Sequence, residues 1–176
     1  MRRQKLFRIV VMLVVMLLVI GCDQATKAAA RAALGHGGVV SVLGGALILR
    51  YVENPGAFLS LGAWLPGAAR RWLFVAFPLA VLAAMAVYVA RRRALRARFA
   101  VGIALVAGGG LGNLLDRILH DGRVGDFLNL GLGGLRTGIF NLADLSILSG
   151  CVLLLLGDRP TEHPDRESGK APPAEG

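Results

Sequence analysis

Charged side chains are scarce in this chain, and cysteine is scarcer. Only 18% of the 176 residues are Asp, Glu, Lys or Arg, against 55% hydrophobic. The mean hydropathy of +0.62 is too apolar for an ordinary soluble domain of this length. The 2 cysteines, Cys22 and Cys151, form no spaced pair, and neither CxxC nor HExxH occurs. A disulfide framework and a zinc site are both disfavoured on that count. Acidic residues are outnumbered by basic ones, 11 to 20, for a net charge of +9. Such an excess can mark a nucleic-acid binder. Here, however, the Arg and Lys residues sit beside apolar runs, the placement that positive-inside topology requires, so nucleic acid is not an expected partner. No internal repeat is visible, and the length suits one domain.

What the chain has is four apolar segments, at about 6–22, 72–90, 99–115 and 139–157. Each approaches the roughly 17–25 residues that span a bilayer as a helix. The expected fold is a membrane protein with an all-α core of four transmembrane helices. "MRRQKLFR" precedes the first segment and "RRRALRAR" (91–98) separates the second from the third. Both should be cytoplasmic, which places residues 23–71 and about 116–138 outside and both termini inside. Residues 1–160 then form one integral-membrane domain. The remainder, 161–176, rich in Pro, Gly and charge, reads as a disordered cytoplasmic tail. Within the first external loop, "VVSVLGGALILRYVENPGAFLSLG" is rich in Val, Leu and Gly and partly alternates. Short strands are expected there, forming a small extracytoplasmic β-rich subdomain.

The first segment ends in Val19-Ile20-Gly21-Cys22, which has the form of a lipoprotein cleavage site. On that reading the chain is itself a lipoprotein processed at Cys22. Three further apolar segments would then remain in the mature chain, which is unusual for a lipoprotein. Gly and Cys are also common small residues where membrane helices pack.

Ionisable residues in membrane segments are costly and therefore functional suspects. In "AGGGLGNLLDR", Asn113, Asp116 and Arg117 are spaced i, i+3 and i+4 and share one helix face. In "GIFNLADLSILSG", Asn141 and Asp144 also share a face, and apolar residues follow Asp144. A lone carboxylate there is expensive unless paired, protonated or facing a wet cavity. Asp126, in "RVGDFLNL", lies close enough in sequence for a turn to bring it back to Asp144. Two adjacent carboxylates retain one proton between them, so one can act as base and the other as acid on a water, as in aspartyl proteases. Two structural Asp residues capping helices would account for the same pattern. A proton-coupled transporter would use membrane carboxylates as relays, but would spread them through the membrane depth. A metal-dependent hydrolase would draw on Asp116, Asp126, Asp144 and His120, although His36, His120 and His163 show no ligand spacing. Elsewhere, Asn54-Pro55-Gly56 is a turn signal, and Asp23 and Lys27 are spaced for an ion pair.

In series, "DQATK" (23–27), "NPGAF" (54–58), "GGGLGNLLDR" (108–117), "VGDF" (124–127) and "FNLAD" (140–144) resemble the motifs of the signal peptidase II family, in order and in placement relative to the spans. The resemblance covers about residues 6–157. It implies a four-helix inner-membrane aspartyl peptidase, without a metal or other cofactor. Its partners would be membrane lipids and diacylglyceryl-modified prolipoproteins, cleaved just before the lipidated cysteine at a site near the outer leaflet. It further implies Asp126 and Asp144 as the catalytic dyad. Asn54, Asn113, Asp116, Arg117 and Asn141 would shape the site, with Asp23 in support. Two features depart from the family pattern: the loop motif reads NPGAF without an extra small residue, and Gly125 stands where a β-branched residue is common.

Overall fold

In a computed structural model of the chain, residues 2–56, 62, 64–92, 95–132 and 134–156 are described. Helix α1 spans Arg2–Leu34, far beyond the span expected at 6–22. At 1.5 Å per residue its 33 residues reach about 50 Å, against a hydrocarbon core of about 30 Å. The extension, "DQATKAAARAAL", was expected to be loop. It is helical because Ala, Gln, Lys and Arg are strong helix formers and Asp23 and Lys27 pair one turn apart at 2.7 Å. The helix ends where glycines begin, with Gly37 at a φ of +88°. Cys22 lies exposed within this helix, and the helix runs on unbroken past it.

Strands β1 (Val39–Val42) and β2 (Leu47–Asn54) follow, joined through a single 3₁₀ turn at Leu43–Gly45. Helix α2 runs from Gly67 to Arg91, with a π-helical turn at Trp72–Ala76 just before Pro78. Proline has no N–H to give the preceding turn, and a widened turn absorbs the missing bond. Helix α3 spans Ala97–Leu119. Strands β3 (Val124–Leu132) and β4 (Leu135–Arg136) come next, and α4 (Leu142–Leu156) closes the described chain. Three helices, α1, α2 and α3, are long and apolar enough to cross a membrane; α4 is apolar but shorter. The expected tail at 161–176, with Ala57 and Phe58 of the NPGAF motif, lies outside the described residues.

Helix α3 is the centre of the bundle and packs chiefly on α4 and α1. Its glycines allow this. A Cβ at Gly109 would sit 2.4 Å from the Ala143 carbonyl oxygen, and one at Gly112 would sit 2.8 Å from Asp23 Oδ2. Side chains at either position would push α4 or α1 away from α3.

The sheet is antiparallel throughout, in the order β1-β2-β3-β4. Strands in the first loop were expected; those in the second were not. The β-rich part is therefore shared between the two loops, and β2–β3 pairing joins them. The strand pattern of β3 is interrupted by the glycines at 125 and 131. Between Leu49↔Leu128 and Val52↔Asp126 the register slips, with three steps on β2 against two on β3. Such a bulge bends the strand and re-aims its side chains. On the far side of β3, Leu128 bridges to Phe140, with both Phe127 and Leu128 donating their backbone N–H to the Phe140 carbonyl. This pins the residue before Asn141 to the strand that carries Asp126.

Candidate active site

The turn after β2 and the first turn of α4 each use an asparagine to organise backbone. Asn54 Oδ1 accepts the Gly56 N–H at 2.8 Å, an Asx turn that explains Asn-Pro-Gly in the sequence. Asn141 caps α4: its Oδ1 accepts the Asp144 N–H at 2.9 Å. Asp144 Oδ2 in return accepts the Asn141 N–H at 3.2 Å. This reciprocal pair is a capping box built from Asn and Asp. It fixes Asp144 at the helix entrance, half-buried, with one side open.

These same asparagines hold the two candidate carboxylates. Asp126 Oδ1 accepts from Asn141 Nδ2 at 2.6 Å and Oδ2 from Asn54 Nδ2 at 2.8 Å. Asp144 Oδ1 accepts from Asn113 Nδ2 at 2.8 Å, and Asn141 Nδ2 also reaches Asn113 Oδ1 at 3.1 Å. Asn141 thus touches both carboxylates. Each carboxylate oxygen has one such bond and a second lone pair to spare. Neither Asp126 nor Asp144 has a Lys or Arg at ion-pair distance among the described residues. Asp126 is 2% exposed, and burial, with the charge of Asp144 adding to it, pushes its carboxyl up to about 6 despite the Asn54 and Asn141 bonds.

Both carboxylates line one cavity of about 450 Å³, together with Asn54, Asn113 and Arg117. Its remaining wall is apolar: Phe74 and Pro78 from α2, Gly110 from α3, and Ile147, Leu148 and Cys151 from α4. A polar end with two carboxylates therefore opens onto an apolar channel between helices. Arg117 stands at the junction. It donates to the Gly56 carbonyl at 2.8 Å and the Asn113 carbonyl at 3.1 Å. It also lies 5.6 Å over the Phe74 ring, so it ties the Asn54 turn to α3 and α2.

Asp23 and Asp116 are elsewhere. They lie behind the cavity, with Lys27 between them at 2.7 Å and 2.9 Å, and all three are at most 5% exposed. Lys27 also donates to Asn113 Oδ1 at 3.0 Å. Asp116 accepts from Gln24 Nε2 at 2.9 Å and from the Gly125 N–H at 3.1 Å. Asp23 accepts the Ala143 N–H at 2.9 Å. The spacing put Asp116 on one helix face with Asn113 and Arg117. In the fold it anchors β3 to α1, because Asp116 sits one helical step away from Arg117 and faces Lys27. Lys27 and Gln24 were not among the expected site residues, although the spacing of Lys27 from Asp23 was the available signal. His120, a candidate metal ligand by sequence, lies against Arg31, 3.0 Å from Nε2 to Nη1, and is not among the residues lining the cavity.

Gly125 also finds its explanation here. A Cβ there would meet the Tyr51 ring and hydroxyl at 3.1 Å. Tyr51, held by Arg31 Nε at 2.8 Å, fills the space that a β-branched residue would need.

Comparisons with known proteins show which family the chain resembles. The family model for signal peptidase (SPase) II matches residues 15–157. The chain is similar to a lipoprotein signal peptidase of Bifidobacterium longum (strain DJO10A), 39% identical over 151 residues, 81% of this chain and 76% of that one. It is also similar to one of Hydrogenovibrio crunogenus, 38% identical over 146 residues and 81% of each chain. A solved bacterial membrane enzyme structure superposes with a TM-score of 0.73 at 27% identity, over 83% of this chain and 90% of that one.

Proposed function

The chain belongs to the signal peptidase II family, and from that premise we propose an intramembrane aspartyl endopeptidase of the bacterial inner membrane. It removes signal peptides from diacylglyceryl-modified prolipoproteins, cutting before the lipidated cysteine. The observation that carries the reading is the pair Asp126 and Asp144, brought from a strand and a helix to one cavity and joined through Asn141.

Neutral amides fix both carboxylates without cancelling their charge, so the pair keeps one proton and titrates as a unit. A water held between them loses its proton to the ionised carboxylate as its oxygen attacks the scissile carbonyl. The protonated partner donates to the carbonyl oxygen. The resulting gem-diol then collapses: the leaving nitrogen takes a proton from the carboxyl that received the water's proton. A hydroxyl of the intermediate returns its proton to the other carboxylate as the carbonyl re-forms, so the dyad again holds one proton. No metal or other cofactor enters these steps. The apolar channel along Phe74, Pro78, Ile147 and Leu148 suits the diacylglyceryl chains, while the polar end meets the peptide. Asn54, Asn113 and Asn141 position the carboxylates, Arg117 holds the turn at Gly56, and Asp23 and Asp116 brace the site from behind.

In this reading α4 is the fourth span, both termini are cytoplasmic, the sheet lies on the external surface, and the site opens near the outer leaflet. Residues 1–160 are the peptidase domain and 161–176 a dispensable tail. The buried ionisable groups gather at one end of the helices, which favours a peptidase over a transporter relay. The test is cleavage by purified protein of a diacylglyceryl-modified model peptide and its unlipidated counterpart, with and without chelator. Release of a fragment beginning at the lipidated cysteine, insensitive to chelator, is expected. Equal cleavage of the unlipidated peptide, or loss of activity to chelator, would sink the reading.

A further inference from the structure

At the end of the bundle away from the carboxylates, a second cavity of about 250 Å³ opens between α1, α2 and α3. Its walls are wholly apolar, among them Met12, Met16, Met85 and Ala86. It continues into a small basic recess that shares Ile9, Met12 and Val89 with it and adds Lys5, Arg8 and Arg92. The arrangement is an apolar slot with three cations at its mouth.

The cations have little else to do. Lys5 donates to the Ala90 carbonyl at 3.3 Å, and Arg92 stacks on Tyr88 at 4.8 Å. None of the three has an acidic partner among the described residues. Arg8 is half-buried. A topology signal needs positive charge near a helix end, but it does not need that charge to converge on a slot. Helix α2, moreover, has no buried residue in its apolar stretch, and the slot lies between it, α1 and α3.

We infer that this is a binding site for an anionic phospholipid of the leaflet on the N-terminal side. The phosphate sits among Lys5, Arg8 and Arg92, and one acyl chain fills the slot beside Met12, Met85 and Ala86. Charge complementarity selects the headgroup, and the flexible, polarizable methionines adapt to a chain of no fixed shape. The lipid is a wedge that seats α2, the helix whose other end carries Phe74 and Pro78 into the first cavity. The inference depends on membrane insertion and not on the peptidase chemistry.

The test is lipid retention by full-length protein in native mass spectrometry. Dioleoylphosphatidylglycerol is compared with dioleoylphosphatidylcholine, which has the same chains and no net charge. One phosphatidylglycerol should be retained in preference. Each charge near the surface is worth about fivefold in affinity, so Lys5→Gln, Arg8→Gln and Arg92→Gln together should weaken binding on the order of a hundredfold. Arg2, Arg3 and Arg91 remain in that variant to hold topology. Ala86→Phe, at an exposed position of α2, should block the slot and lose the lipid at unchanged charge. Equal retention of the two lipids, or undiminished retention in either variant, overturns the site. So does retention that appears only when residues 161–176 are removed, which would make the chain's own tail the occupant.

Discussion

Two carboxylate pairs lie at the same end of this bundle, and they are held in opposite ways. Asp23 and Asp116 share the ammonium of Lys27 and accept from Gln24, Gly125 and Ala143 besides. Asp126 and Asp144 are held by Asn54, Asn113 and Asn141. The first pair shares one cation and is not among the residues lining the cavity. The second has no Lys or Arg at ion-pair distance among the described residues, keeps spare lone pairs and lines the cavity. A cation beside a carboxylate favours its charged form, whereas a neutral amide holds it in place without adding a counter-charge. Residue type does not separate structure from chemistry here; the charge of the partner does.

The comparison breaks most visibly in turnover. Asp126→Asn and Asp144→Asn should each lower cleavage of a lipidated substrate by at least about 10²–10⁴. The double variant should be no worse, since the pair acts as a unit. Neither single variant should lose thermal stability in detergent at neutral pH. Full activity in one of the single variants would remove the dyad.

The mirror-image experiment is Lys27→Met. It leaves two carboxylates buried without their cation, and destabilisation of about 3–5 kcal/mol is expected. Adding Asp116→Asn should recover part of that loss. If Lys27→Met unfolded at the parent temperature, the buried triad would not be what braces α1 against α3 and β3.

Asn141→Ala should fall between the two clusters. It removes one cap, worth about 1 kcal/mol, and the link between the carboxylates. A misplacement of reacting groups costs on the order of 10²-fold. Activity should therefore drop far more than stability, with the loss in kcat rather than KM.

Titration sharpens the contrast further. Asp126 is raised from 3.8 to about 6 by burial and by Asp144. A carboxyl raised on folding favours the folded state below its unfolded value, and that contribution is lost as pH rises through the folded value. The parent should therefore lose stability relative to Asp126→Asn between pH 4 and 7. A difference in unfolding temperature that stays constant over that window would put the retained proton on another group.

The smallest effects belong to groups outside both clusters. Cys22→Ala, on the exposed surface of α1, should leave insertion and cleavage near normal, as should removal of 161–176. Mass spectrometry finding a chain that begins at a diacylated Cys22 would restore the lipoprotein reading.

Much of this was legible in the sequence, for particular physical reasons. Bilayer thickness dictates apolar runs of a given length, so α1, α2 and α3 announced themselves, and Arg clusters marked their flanks. The cost of a charge among apolar residues made Asp144 conspicuous. Helical spacing put Asn113 beside Arg117 and Asn141 beside Asp144, and Asn-Pro-Gly gave the turn at 54–56. Other features depended on contacts between segments distant in sequence. Helix α1 runs on to Leu34 partly because Lys27, paired with Asp23, meets Asp116, 89 positions beyond it. Strand β3 forms because β2 pairs with it, and Gly125 is tolerated because Tyr51 fills its space. Asp116 and Arg117 are adjacent in the chain, yet one faces Lys27 and the other Gly56. Periodicity and the cost of burying charge act along one segment, so the sequence by itself determined the apolar segments and the suspect residues. Which carboxylate met a cation and which met only amides was decided by packing between segments, and only the tertiary structure could supply it.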